Sequence, residues 1–452
     1  MSSIFTAELF NTNDNVVKTF YPSPVDHNAE YEVINLIDIE SDSIQHMEKY
    51  HWARSAVMYG NSIDQPLDQS DLKVLAVSPP TAVSLDAFKF KHTIMNDVIV
   101  NEQVEGTMIN VFYDPRNKHW EMATKNAIGG NYWFYRTQYG ETGLKNKTFR
   151  TMFIEALKGD VSKSELHLEE ALPFLNELPN DFSYSFVLQH PENHIVLEIQ
   201  EPSVYLVAVY AIGHIIARLH PDIYEPRAEF WSCLADVPVK FPKRFENGCG
   251  PEPYYIYEDV LHDYMGIMFH DIITGERAVM RNPCYEALRE LRGNHPNMQY
   301  HFFEMLQNGT LPQFMYSFPR YQDMFMAFNT EYINFIKSIH THYVQRFITK
   351  THMSTITPKK YFVHVMRLHN DIFKTMRKKI TLNVINQYFM SMTPGQIMFY
   401  LDYDNKRAQV SMEEMYEDLE RLVDEEEEEE QKSFIQPKNP IAWAELKEGE
   451  VW

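Results

Sequence analysis

The chain has little of what marks secreted, membrane-spanning or disulfide-rich proteins. Its 452 residues include three cysteines, Cys233, Cys249 and Cys284, which give no disulfide framework and no CxxC metal spacing. No apolar run reaches the length needed to cross a bilayer. The first residues also lack the basic start and apolar stretch of a secretory signal. We therefore expect a reducing, cytoplasmic location and no membrane partner.

Basic residues are also outnumbered: 41 Lys and Arg stand against 63 Asp and Glu, which gives a formal net charge of −22. Phosphate backbones recruit Lys and Arg, so this balance alone speaks against a nucleic-acid partner. The imbalance is uneven, however, because Glu413 to Glu430 contain twelve acids and one arginine, a net of −11. The six consecutive glutamates at 425–430 predict a solvated, disordered tail over residues 412–452. Net charge therefore does not decide whether the chain binds nucleic acid.

Apolar residues are abundant, at 44% hydrophobic and 14% aromatic, and allow two or three domains with large cores. Up to Asn282 the pattern predicts strands joined by tight turns and hence antiparallel sheets. The predicted strands are Thr107–Tyr113, Trp120–Thr124, Ser183–Leu188, Ile195–Ile199, Tyr205–Tyr210, Ile267–Phe269 and Ala278–Met280. Helices are expected near Phe149–Leu157, between Lys163 and Leu175, and within Val207–Leu219.

After Pro283 the pattern becomes helical. Seven residues recur at helical spacing along one predicted face: Phe362, Val365, Met366, His369, Ile372, Phe373 and Met376. Thr393–Pro394 is a helix-start signal. We predict an α+β chain with a mixed domain over 1–282, an all-helical domain over 283–411 and the acidic tail.

Six blocks of the mixed domain, taken in order, resemble the nucleotidyltransferase domain of ATP-dependent RNA ligases. They are Ala53–Val57, Val104–Ile109, Trp120–Gly130, Phe186–Val196, Met265–Phe269 and Arg277–Asn282. The resemblance implies the ATP-grasp-like RNA/DNA ligase fold, and a following helical domain is similar to the phage tRNA-repair type. The blocks are also similar to homologues in large DNA viruses of eukaryotes, which would place the protein in the host cytoplasm or the virion.

The chemistry that this resemblance implies needs a lysine nucleophile, two carboxylates for metal and ribose, and two lysines on the α-phosphate. The matching positions hold Gln103 for the nucleophile, Val187 and Met265 for the carboxylates, and Val279 for the first terminal lysine. An amide cannot form a phosphoramidate, and apolar side chains do not hold Mg²⁺. We therefore expect a pseudoenzyme with no cofactor and no metal.

A few matching positions keep a polar or structural residue. Glu105, Gly106 and Arg281 survive, and Arg54 and Lys125 are further candidates for nucleotide contact. Glu105 could contact a nucleotide or pair with Arg54 or Lys125, and Gly106 could persist because the backbone bends there. One alternative is an active ligase or nucleotidyltransferase using ATP and Mg²⁺ with displaced groups, with Lys125 as a stand-in nucleophile. Another is an assembly protein that uses the fold as a scaffold.

The helical domain contains a basic cluster that could bind an RNA backbone. Its members are Lys359, Lys360, Arg367, Lys374, Arg377, Lys378 and Lys379. The same residues could instead form a solvated helix face or contact the acidic tail. The sequence thus leaves two partners open, RNA and a protein bound through the acidic tail. Lys89 and Lys91 alternate with Phe88 and Phe90, which predicts a strand face there.

Overall fold

The computed structural model describes residues 4–6, 16–22, 29–36, 55–61, 73–92, 97–132, 147–193, 195–212, 216–219, 229–245, 264–293, 295, 297–350 and 357–404. Two of the sequence predictions, the contact from Arg54 and the tail over 412–452, lie outside these residues. The chain divides into two compact units, Met1–Met298 and Gln299–Trp452. Within the described ranges, no helix is both long and apolar enough to span a membrane.

The first unit is built mainly from strands. They are β1 (Ile4–Thr6), β2 (Val16–Pro22), β3 (Ala29–Leu36), β4 (Ser55–Asn61), β5 (Lys73–Val77), β6 (Val98–Glu102), β7 (Thr107–Asp114), β8 (His119–Ala123), β9 (Phe182–Gln189), β10 (Ser203–Ile212), β11 (Ile216–Leu219), β12 (Val239–Lys240), β13 (Arg244–Phe245), β14 (Gly266–Asp271) and β15 (Arg277–Arg281). The helices are α1 (Leu85–Lys91), α2 (Phe149–Ala156), α3 (Leu168–Ala171) and α4 (Pro283–Arg292), with 3₁₀ turns at Val161–Lys163, Pro173–Glu177 and Glu229–Leu234.

These strands form three sheets. The large sheet has the order β1-β11-β10-β9-β7-β8, with β12 added beside β10. The small sheet has the order β13-β6-β14-β15, and the third sheet has the order β2-β3-β4-β5. Apart from β12, which runs parallel to β10, the paired strands are antiparallel. The prediction of an α+β chain with antiparallel sheets is confirmed.

One face of the large sheet forms the main core. Side chains alternate along a strand, so Ile109 and Val111 of β7 share a face with their partners Phe186 and Tyr184 of β9. All four side chains are fully buried. Phe153 of α2 packs edge-on against Phe186, with ring centroids 5.6 Å apart. Helix α2, which the sequence predicted, therefore covers this face.

The opposite face of the large sheet contacts the third sheet through polar groups. The Asn110 side-chain amide donates to the Ser78 hydroxyl at 2.7 Å. The Ser185 hydroxyl lies 2.8 Å from the Asn110 side-chain oxygen and 3.2 Å from the Val77 carbonyl. Buried polar groups are costly unless they are paired, and these residues pair with one another.

The small sheet is apolar on one face. Val100, Phe269 and Ala278 lie beside one another on β6, β14 and β15, and they pack with Phe88 of α1. The expectation of a strand face around Lys89 and Lys91 is wrong, because these residues lie in α1. Ser84 caps this helix by accepting from the Ala87 N–H.

The second unit is helical, as the sequence predicted. Its helices are α5 (Met298–Asn308), α6 (Leu311–Ser317), α7 (Gln322–Tyr343), α8 (Lys359–Arg367), α9 (Leu382–Met390) and α10 (Pro394–Leu401), with a 3₁₀ turn at Pro319–Tyr321. Two π-helical segments, Val344–Ile348 and Leu368–Thr375, follow α7 and α8 directly. The predicted helix start at Thr393 is confirmed, because Thr393 and Gln396 form a reciprocal capping box.

Two further secondary-structure predictions are wrong. The expected helix within Val207–Leu219 is instead the end of β10 and all of β11. This segment alternates Val, Ala, Ile and Tyr, and short apolar runs of that kind suit either structure. The expected strand at Ile195–Ile199 is absent from the described residues of that segment.

Candidate functional site

Residues 103–106 link the small sheet to the large sheet. Strand β6 ends at Glu102 and β7 begins at Thr107, so this link passes directly from one sheet to the other. The Gln103 N–H donates to the Gly266 carbonyl at 2.9 Å, which extends the pairing of β6 with β14. The positions that resemble the ligase nucleotidylation motif therefore lie where the two sheets adjoin.

Glu105, in this link, is a buried carboxylate that is surrounded by donors. Its side chain is 3% exposed. It accepts from three consecutive backbone N–H groups, those of Ile195 at 2.9 Å, Val196 at 3.1 Å and Leu197 at 3.1 Å. The Tyr285 hydroxyl at the start of α4 donates a short hydrogen bond to the same carboxylate. Consecutive backbone N–H groups form a nest that suits an anion, so the charge is compensated without a metal or a lysine.

Tyr285 remains a hydrogen-bond donor over a wide pH range. Burial, together with its hydrogen bond to Glu105, raises the pKa of Tyr285 well above that of a free tyrosine. The phenol thus keeps its proton and points it at the carboxylate. Among the described contacts, Glu105 is held by Tyr285 and the 195–197 backbone, and Lys125 makes no hydrogen bond to it. Glu105 therefore fastens segment 195–197 and α4 to the link.

Gly106 allows the link to pass very close to β9. Its φ is +152°, and a Cβ placed there would lie 2.4 Å from the Leu188 carbonyl oxygen and 2.7 Å from Val187 Cγ1. Any side chain would force the two segments apart. Val187, which matches a carboxylate position of the ligases, thus lies against the link and is buried.

Gln103 and Val279 meet beside Gly266 on the small sheet. A Cβ at Gly266 would lie 2.4 Å from Gln103 Oε1 and 3.3 Å from Val279 Cγ2. The register pairs Gly266 with Arg281 and Met268 with Val279, so Val279 and Arg281 share one face of this sheet. The position that resembles the nucleophile therefore adjoins a position that resembles a phosphate clamp.

This face of the small sheet includes a residue that lies near the large sheet. Arg277 shares it with Val279, and Tyr210 of β10 pairs with Ser183, on the same face of the large sheet as Val187. Burial raises the pKa of Tyr210, and the nearby charge of Arg277 acts in the opposite direction. This interaction indicates that Arg277 lies near Tyr210, which is on the same face of the large sheet as Val187.

The remaining predicted positions lie at strand ends or in a loop. Met265 precedes β14, and its carbonyl accepts from the Asn282 N–H at 3.2 Å. Arg281 ends β15 with its side chain 60% exposed, and its guanidinium lies 3.4 Å from the Glu286 carboxylate. Lys125 is exposed in the loop after β8, where its carbonyl accepts from the Ser55 hydroxyl at 3.0 Å.

The groups present do not fit a magnesium–nucleotide complex. Mg²⁺ prefers oxygen ligands, whereas Val187 and Met265 provide an isopropyl group and a thioether. In the part of the chain that the structure describes, no group of three or more His, Cys, Asp or Glu side chains could hold a metal ion. Glu102, next to Gln103 in the chain, accepts from the Lys243 N–H at 2.9 Å, and Glu105 is already engaged by the donors described above.

Most residues of the basic cluster predicted from the sequence fall into two groups. Lys359 and Lys360 lie at the start of α8, and the Lys360 ammonium is 3.2 Å from the Asp404 carboxylate. Four others lie within or after the second π-helical segment and are exposed: Lys374, Arg377, Lys378 and Lys379. Arg367 is exposed between the groups. A helix rises about 1.5 Å per residue, so the two groups are roughly 20 Å apart.

Sequence reasoning missed the donors around Glu105 and an aromatic row in the second unit. Tyr285 is far from Glu105 in the chain, and no local pattern marks it as a partner. The row consists of Phe347, His369 and Phe373, whose rings stack in that order. The helical spacing of His369 and Phe373 was noted from the sequence, but their stacking on Phe347 depends on the fold.

Comparison with known proteins finds structural neighbours with low sequence identity and low TM-scores. No protein-family model and no curated protein matches the chain. An archaeal ATP-dependent RNA ligase is 11% identical with a TM-score of 0.35, over 69% of this chain and 68% of that one. A Naegleria gruberi RNA ligase with PPi is 10% identical with a TM-score of 0.30, over 64% of this chain and 98% of that one. The structural neighbours are thus ATP-dependent RNA ligases, and likeness at this level assigns no activity.

Proposed function

We propose that this protein is an RNA-binding relative of the ATP-dependent RNA ligases that no longer forms a lysyl–AMP intermediate. The observation that carries the proposal is the position of Gln103, whose side-chain amide lies beside Gly266 and Val279 where the two sheets adjoin. A lysyl–AMP bond forms when an amine lone pair attacks the α-phosphorus of ATP and pyrophosphate leaves. The amide lone pair of Gln103 is delocalised into its carbonyl and is not a comparable nucleophile.

The surroundings of Gln103 support the same conclusion. Charge that develops on a transferred phosphoryl group must be met by cations or aligned donors. Val279 supplies neither, and Arg281 extends toward Glu286 with most of its side chain in solvent. Glu105 supports the fold by binding backbone N–H groups, which accounts for the survival of a Glu-Gly pair without adenylyl transfer.

The first test is incubation of the full chain with [α-³²P]ATP and Mg²⁺, followed by a denaturing gel. We expect no covalent label on the wild type or on Lys125→Ala. A label on the wild type that acid removes, as expected for a P–N bond, would contradict the proposal. Its loss in Lys125→Ala would assign the nucleophile to Lys125.

Support for RNA binding comes from the exposed basic group at 374–379. Each phosphate contact to a single strand contributes about −0.7 to the slope of log K against log salt. A filter-binding series from low to high salt should therefore show a steep decline. Replacing both Lys378 and Lys379 by Ala should reduce the slope by roughly 1.4. Lys337→Ala, on the exposed side of α7, is the matched control and should leave the slope unchanged. Salt-independent or absent RNA binding would count against this part of the proposal.

A further inference from the structure

The second π-helical segment, Leu368–Thr375, interrupts the helical spacing of the predicted apolar stripe. A π-helical turn contains more residues than an α-helical turn, so it shifts the side chains that follow around the axis. The apolar stripe predicted for one face of this region is accordingly buried only in part. Val365 is buried, whereas Phe362, Phe373 and Met376 are 38%, 42% and 69% exposed. Apolar surface that the sequence predicts as core is therefore left in solvent.

The aromatic row crosses from one π-helical segment to the other. The ring centroids of Phe347 and His369 are 3.6 Å apart with planes inclined by 4°. Those of His369 and Phe373 are 5.3 Å apart and inclined by 17°. The Tyr343 hydroxyl, 3.4 Å from His369 Nδ1, helps to fix the middle ring. The three nearly parallel rings form a short stack that ends in the exposed ring of Phe373.

The middle ring of the row is neutral near pH 7. Burial, reinforced by the charge of Lys374, lowers the pKa of His369. The row therefore presents three uncharged π-faces, and the positive charge lies around it.

The segment that carries the row is rich in cations although the chain as a whole is acidic. Between Val344 and Ile380 the sequence has nine Lys and Arg and one acid, Asp371. The Arg346 guanidinium lies over the rings of Phe347 and Phe362, 5.8 and 5.0 Å from their centroids. Lys374 follows Phe373 directly, and the exposed Arg377–Lys379 run comes next. An anionic partner with flat aromatic groups complements this surface in both charge and shape.

We propose that the Phe347–His369–Phe373 row is a stacking site for the bases of a single-stranded polynucleotide. Arg346, Lys374 and the Arg377–Lys379 run bind its phosphates. The inference rests on the proposed function and specifies which form of nucleic acid is bound. A base that continues the stack on Phe373 must expose its face, which an intact duplex does not allow.

Fluorescence anisotropy with the full chain distinguishes binding through base stacking from binding through phosphate charge alone. The probes are labelled oligonucleotides of equal length: adenine-rich single-stranded RNA, the same sequence as DNA, an RNA duplex, and an abasic strand. We expect tighter binding of the single strands with bases than of the abasic strand or the duplex. Comparison of the RNA strand with the DNA strand shows which of the two polynucleotides the site prefers.

Variants at Phe373 test whether its aromatic ring stacks on a base. Phe373→Leu keeps apolar bulk but removes the π-face, and should weaken binding of the base-containing strand about tenfold. It should leave abasic binding unchanged, and Phe373→Tyr should restore wild-type affinity. Met376→Ala, which is more exposed, is the matched control. Circular dichroism melting checks that each variant folds.

The outcomes separate this inference from the proposed function. Equal affinity for abasic and base-containing strands, with no effect of Phe373→Leu, would overturn base stacking while leaving RNA binding intact. Absence of binding to every probe would remove both. Loss of self-association in Phe373→Leu, seen by sedimentation, would instead assign the surface to a second copy of the chain and overturn the inference.

Discussion

Tyr285→Phe removes one oxygen atom from the donors around Glu105 and leaves the ring in place. The bond that is lost joins a buried phenol to a buried carboxylate. Hydrogen bonds to charged groups contribute about 1.5–3 kcal/mol, so we expect the free energy of unfolding of the first unit to fall by about 2 kcal/mol. For a unit of this size, that corresponds to a melting temperature lower by roughly 4 °C.

Tyr184→Phe is the matched control for this prediction. Its hydroxyl is also buried, but it donates to the neutral Pro179 carbonyl at 3.1 Å. A neutral hydrogen bond contributes about 1 kcal/mol, so this variant should lose less stability. Urea unfolding at pH 7 measures both. Equal losses in the two variants would refute the idea that Tyr285 serves a buried charge.

Alkaline pH gives an independent check on Tyr285. Because the pKa of Tyr285 is raised in the folded chain, its contribution is complete below the unfolded value of about 10 and is lost as pH rises beyond it. The stability difference between wild type and Tyr285→Phe should stay constant from pH 6 to 9 and narrow above pH 10. A difference that widens above pH 10 would contradict the stated direction of the shift.

Two further predictions concern a close backbone approach and a buried imidazole. Gly106→Ala should destabilise the first unit by several kcal/mol, about 3 or more, because its Cβ would collide with the Leu188 carbonyl. Gly395→Ala, where a Cβ meets nothing within 4 Å, is the control, and equal urea midpoints would reject the prediction. Burial, aided by the charge of Arg367, lowers the pKa of His364 to about 3, so its contribution is present above the unfolded value of 6.5 and is lost as pH falls toward 3. Urea midpoints at pH 7, 5 and 4 should fall less steeply in His364→Gln, and an unchanged slope would count against that assignment.

Local signals explain the parts of the fold that the sequence predicted. The β7–β8 hairpin follows from a β-rich run that ends at Asp114–Pro115, and the start of α10 follows from Thr393 with Pro394. Both depend on residues within a few positions of one another. The incorrect helix within Val207–Leu219 shows the limit, because sheet pairing with β9 decides a segment whose own pattern is ambiguous.

The candidate site could be predicted only in part. Ordered blocks directed attention to Gln103, Glu105 and Val187, and the structure brings these segments together. The donors to Glu105 could not be anticipated, because segment 195–197 was expected to be a strand and Tyr285 lies 180 residues further along the chain. The exposure of Phe373 could not be predicted either, because a pattern based on 3.6 residues per turn does not predict a π-helical turn.

The donors around Glu105 show that a short sequence motif can have a structural role. The Glu-Gly pair that links the two sheets has contacts that serve the fold, since the acid accepts from a backbone nest and the glycine allows a neighbouring strand to pass closely. Such a pair has a structural role that does not depend on any reaction. A Glu-Gly pair is therefore not by itself evidence of nucleotide chemistry when it is found in a sequence.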